Sequence, residues 1–209
     1  MFLPFFFFVI YDIFAPYNLS KGVNNMENIK KAETTAFLTF IGLVISGTLL
    51  HFAFDFFDRN TLVGAFTPVN ESIWEHLKLI MFPSIFFGIS EYLCYGKNYD
   101  GFISAKSMST IIGMLFIIIS YYTISGITGR DLGAVNIIIF IAAAAITSYL
   151  TYYFTVHKTF SSNDNLTIVL ICSITLLVLL FIYFTFNPPH LELFRDPLSM
   201  DFGITQTML

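Results

Sequence analysis

"TPVNESIWEHLKLIMFP", Thr67 to Pro83, sets two glutamates, a histidine, a lysine and a tryptophan at the head of an apolar run. The chain around it is 56% hydrophobic and 11% charged, with 26 phenylalanines in 209 residues and a mean hydropathy of +0.75. A soluble domain of this length covers itself with roughly a quarter charged residues. Here the polar surface is missing, so most of the outside must face lipid. The stretch therefore reads as the start of a membrane-spanning helix that carries ionisable groups into the bilayer.

Working outward, a hydrocarbon core of about 30 Å needs about 20 apolar residues in a helix. Only helices or closed barrels satisfy the backbone in lipid, and these continuous runs lack the alternation of barrel strands. Five spans are expected: Thr35–Phe57, Ile73–Tyr95, Phe102–Ile127, Val135–Val156 and Leu166–Phe186. Gly, Asn and Asp punctuate the short breaks between them, "DRNTLVGAFTPVNES", "GKNYDG", "TGRDLGA" and "HKTFSSNDN". The fold class is thus all-α, an integral membrane bundle of five transmembrane helices. Residues 1–25 form a short extra hydrophobic segment broken by Pro4, Asp12 and Pro16, read as an extension outside the functional unit. Residues 26–186 form the bundle and 187–209 a tail.

Lysine and arginine set the expected orientation. Lys21, Lys30, Lys31, Lys97, Lys106 and Lys158 fall on one side; Arg59, Arg130 and Arg195 fall on the other, with Lys78 just inside the second span. This places the amino terminus in the cytoplasm and the carboxy terminus outside. The net charge of −4 and the lack of any basic stripe give no sign of nucleic-acid binding. Cys94 and Cys172 stand alone in apolar runs and read as small core residues.

The chemistry gathers on the outer side. His51, Asp55 and Asp58 are spaced i, i+4 and i+7, one stripe of a helix; Glu71, Glu75 and Lys78 repeat that spacing, with His76 beside them. A charged residue near mid-span costs about 2.5–3.5 kcal/mol on insertion scales, so such groups turn toward protein or water. His51, Asp55, Glu71, Glu75, His76 and Lys78 are the candidates to line a polar pocket. A plainer account makes Asn70 the helix N-cap, Glu71 a partner of the helix dipole and Trp74 an interface residue. In the tail, Pro188 and Pro189 stop the last helix, and Leu191, Leu193 and Phe194 supply apolar anchors. The tail is expected to fold over the outer face and bring His190, Arg195 and Asp196 toward the helix stripes. At the inner end, Glu91 and Lys106 are placed to pair across the second loop.

Two histidines and several carboxylates would suit zinc or a harder cation, but no His-Glu-x-x-His or His-x-x-x-His is present. His51 and His76 sit on different helices, and spacing alone does not bring them together. No Gly-x-Ser-x-Gly and no Gly-rich phosphate loop occurs. The residues name no cofactor.

"NESIWEHLK" and "PPHLELFRDP", together with "AKSMSTIIGMLF" and "YYTISGITG", resemble a family of small multi-pass bacterial membrane proteins classed as a domain of unknown function. The resemblance runs from about Met26 to Ile204 and implies the membrane bundle without implying an activity. The family pattern has an acidic residue near the start of the fourth span, where this chain has Asn136. Three functions fit. The first is a binding or translocation protein whose outward polar pocket takes a small solute, ion or lipid headgroup. The second is a membrane-embedded hydrolase or transferase using carboxylate and histidine chemistry, and the third an accessory protein.

Overall fold

A computed structural model describes residues 23–160 and 164–204. The reading of residues 1–25 lies almost wholly outside them. The long helices are α1 (Val23–Phe56), α3 (Ile73–Cys94), α4 (Phe102–Thr128), α5 (Gly133–Val156) and α6 (Asp164–Phe186). A single turn, α2 (Thr61–Gly64), lies in the first loop. Among the described residues, five helices are long and apolar enough to cross a membrane, as the hydrophobic runs predict. The expected boundaries hold closely for α3 to α6. Helix α1 starts well before Thr35, because no Gly or Pro interrupts the polar residues that precede its apolar run.

Helix α1 packs against α3 and α5, and α4 packs against α3 and α5, closing a ring of four; α6 lies outside it against α4 and α3. The closest pairing joins α4 to α5. A Cβ added at Gly113 would collide with the Thr147 hydroxyl, so the glycine lets the two backbones approach. Leu43, Ile80, Met81 and Phe181 are fully buried between the helices. Phenylalanine, leucine and isoleucine side chains such as Phe37, Leu49, Phe86, Ile119 and Leu179 point outward, the pattern of a bundle solvated by hydrocarbon. Cys94 and Cys172 belong to that outer surface: both are exposed on the bundle and free, not core residues as the sequence suggested.

The tail folds over the end of the bundle that carries the first loop. Helix α6 stops at Phe186 before Pro188, and a 3-10 turn over Glu192–Phe194 drives Phe194 against Trp74 and Phe184, with ring centroids 4.8 and 5.2 Å apart. Gly203 adopts φ +61°, where its backbone lies close to the Thr185 carbonyl and Pro188; a Cβ would stand 2.8 Å from that carbonyl oxygen. Ile204 N–H donates to the same carbonyl, and the Asn70 side-chain amide donates to Gly203 O at 3.1 Å. The tail is therefore pinned to both the first loop and the end of α6.

Candidate functional site

The cap of this helix falls two residues later than the Asn70 reading places it. Ser72, not Asn70, is the N-cap of α3 and accepts from the Glu75 N–H; Asn70 Oδ1 accepts from Ser72 N–H one step upstream. Glu71 therefore precedes the helix and does not share a stripe with Glu75 and Lys78. The ionisable residues split into two groups.

Glu75 and Lys78 turn inward and are sealed, at 2% and 0% exposure. Lys78 Nζ lies 2.7 Å from Glu75 Oε2 and also bonds Gly64 O, Thr67 O and Thr185 Oγ1 at 3.0, 3.1 and 2.6 Å. Glu75 Oε2 accepts in addition from Val69 N–H. A buried charge pair survives only where its remaining donors and acceptors are satisfied. Here the ammonium has four acceptors around it and the carboxylate has backbone and hydroxyl donors, so the cluster ties the first loop to α3 and α6.

Glu71 turns the other way, toward His51 of α1 and His76 of α3. His76 Nε2 stands 3.4 Å from Glu71 Oε2 and His51 Nε2 stands 3.9 Å from Glu71 Oε1; the two rings are 5.2 Å apart. One ligand-type atom from each of the three residues lies within 4.8 Å of the others, and the side chains keep 26–43% of their surface exposed. His76 Nδ1 is 2.9 Å from Ser72 O, the N-cap carbonyl. That oxygen only accepts, so Nδ1 carries a proton, and Nε2 is directed at Glu71. The hydrogen bond from the His76 ring holds the Glu71 carboxyl below its ordinary range, against the upward pull of its partial burial. His51 Nδ1 is buried with no hydrogen-bond partner among the described residues, and exposed Phe52 meets the His51 ring edge-on at 4.9 Å.

The sequence model of the Family of unknown function (DUF6512) matches residues 24–204. The chain belongs to this family. No curated protein and no solved structure matches it.

In this DUF6512 chain, the remaining candidates stand apart from the three-residue cluster. Asp55 is exposed and pairs with Arg59 at 3.0 Å. Asp58 lies beyond the end of α1 with φ +52°, so the stripe that begins at His51 breaks before reaching it. Arg195 pairs with exposed Glu192, Asp196 accepts from Leu198 and Ser199 N–H, and His190 stacks on Phe202. Those three residues brace the tail itself, while its contacts with the bundle run through Phe194, Gly203 and Ile204. At the opposite end, Glu91 and Lys106 form the expected pair at 2.7 Å, and both are buried. Tyr95 beside them is fully buried, and burial, reinforced by the Glu91 charge, pushes its phenol far up.

Sequence reasoning placed all three cluster residues in its candidate set. It set Ser72 beside His76 on one stripe but did not read it as the helix cap whose carbonyl fixes the His76 ring. Serine three residues before Glu75 is the available signal, a helix-start spacing that competes with Asn70.

Proposed function

We propose that this protein is a membrane-embedded hydrolase or transferase acting on the polar headgroup of a lipid or lipid-linked substrate, with His51, Glu71 and His76 as its reacting groups. The observation that carries this reading is the convergence of two imidazoles and one carboxylate, partly open, at one end of a lipid-facing bundle. A hydrolytic step needs a base to take a proton from water as its oxygen attacks, and an acid to protonate the departing oxygen. Glu71 serves as base and a histidine as acid. Exposed Phe52 beside His51 gives a lipid chain an apolar surface while its headgroup reaches the cluster. The excess of lysine on the opposite side favours an extracytoplasmic site.

A binding or translocation role draws less support. It needs Glu75 and Lys78 to line an open polar path, and these two are occupied by each other and by the first loop.

The test is incubation of the full-length protein in lipid nanodiscs with a membrane lipid extract, with products followed by mass spectrometry. Wild type should convert at least one lipid class, and His76→Ala and Glu71→Gln should abolish conversion. Absence of any product, or equal conversion by the variants, would overturn the reading. For orientation, tags at the two termini should report opposite sides of the membrane.

A further inference from the structure

His76 Nε2 and His51 Nε2 approach the Glu71 carboxylate at 3.4 and 3.9 Å, each on a different oxygen, with the two rings 5.2 Å apart. The bond from His76 Nδ1–H to Ser72 O holds the ring in this direction, and one ligand-type atom from each residue lies within 4.8 Å of the others. Two imidazole nitrogens and a carboxylate so placed are the donor set of a divalent ion.

Distances agree with this. Zinc binds His nitrogen at about 2.0–2.1 Å and carboxylate oxygen at about 2.0–2.2 Å in a tetrahedron, which puts ligand atoms about 3.4 Å apart. The separations here are 3.4 Å from His76 to one Glu71 oxygen and 3.9 Å from His51 to the other, and one ligand-type atom per residue lies within 4.8 Å of the others. An octahedral ion using three adjacent positions would draw the same atoms to about 3.0 Å; iron takes two histidines and one carboxylate in that way, and the metal content of the purified protein distinguishes it from zinc. The ligand chemistry points the same way: two imidazoles disfavour magnesium and calcium, and no thiolate belongs to the cluster. The Nδ1–H bond from His76 to a backbone carbonyl is the outer-shell contact that orients a metal-bound histidine.

We propose that His51 Nε2, His76 Nε2 and the Glu71 carboxylate bind one zinc ion, leaving a fourth position open toward the exposed side of the cluster. Two histidines, one glutamate and an open position form a catalytic rather than a structural zinc arrangement. This inference rests on the same three residues as the enzymatic reading and adds the cofactor class. Zinc would polarise a headgroup oxygen or lower the pKa of a bound water, and Glu71 and the two histidines would then act as ligands in place of their base and acid roles.

The test uses the full chain purified without added chelator, with metal content measured by mass spectrometry. Wild type should carry about one zinc per chain. After chelator treatment it should take up cobalt with the visible absorption of a tetrahedral site. His51→Ala, His76→Ala and Glu71→Gln should each lose stoichiometric zinc, while His190→Ala, altered in the tail, should retain it. The cobalt spectrum of wild type does not depend on whether a variant folds. Wild type that binds neither zinc nor cobalt would overturn the proposal, as would iron retained in place of zinc, or zinc retained equally by the three variants. Lipid turnover by metal-free protein would remove the zinc and leave the enzyme standing; stoichiometric zinc without turnover of any lipid would do the reverse.

Discussion

Glu71 and Glu75 are one helical turn apart in sequence and have opposite surroundings. Glu75 faces the interior, where Lys78, Val69 N–H and Thr185 complete its bonding and leave it nothing free to offer a ligand. Glu71 sits just ahead of the N-cap, outside the helix, and meets two imidazole nitrogens in a place with access to the exterior. A buried ion pair with all its partners is scaffold; an incompletely paired cluster at a surface is where chemistry can be done. The difference between them is set by one residue, Ser72, which determines where the helix begins.

The strongest way to break this contrast is to remove Lys78. Lys78→Ala leaves Glu75 buried without its cation, and losing one partner of such a pair costs about 3–5 kcal/mol. Melting followed by the fluorescence of Trp74, the sole tryptophan, should fall accordingly. The double variant Glu75→Gln/Lys78→Met should recover a large part of that loss, since it removes both charges together. At the far end, Lys106→Ala should cost about 3 kcal/mol for the same reason, yet leave zinc content and lipid turnover unchanged. Stability loss there accompanied by loss of zinc would erase the distinction between the two ends.

Glu71→Gln should behave in the opposite sense. Its melting should stay within about 1 kcal/mol of wild type, because the pairs it breaks are half exposed, while turnover disappears. A smaller effect is expected for Asn70→Ala, which removes the bond to Gly203 O and should cost about 1 kcal/mol, with faster proteolysis of the tail as the readout. The smallest belongs to Asp55→Asn. Its pair with Arg59 is exposed, and both melting and turnover should match wild type within error.

The spans were legible because hydrophobic length is a one-dimensional property. Ile73 and Phe102 begin their helices, and Val156 and Phe186 end theirs, where the apolar runs begin and end. The pairing of Glu91 with Lys106 was legible for a similar reason, since a short loop leaves two inward-placed charges little choice. The candidate site was only partly legible. Helical spacing grouped Glu71 with Glu75 and Lys78 on the premise that the helix already included Glu71. Ser72 takes the cap instead, so spacing does not govern where Glu71 points. The same premise joined Asp58 to His51, although α1 ends at Phe56 and Asp58 takes a left-handed conformation. The meeting of His51 with His76 depends on the packing of α1 against α3, a tertiary fact that no local pattern encodes.

The bond between Lys78 and Thr185 joins residues 107 positions apart and has a bearing on biogenesis. While a ribosome is still threading the chain into the bilayer, His51, Glu71 and His76 are delivered with the first two spans. Thr185 comes only near the end of the last, and the tail that anchors Asn70 follows later still. Until then the first loop lacks two of its moorings. The cluster is thus put together before its moorings exist, so a nascent chain carries these three groups in an unfinished arrangement until Thr185 and Gly203 have been made.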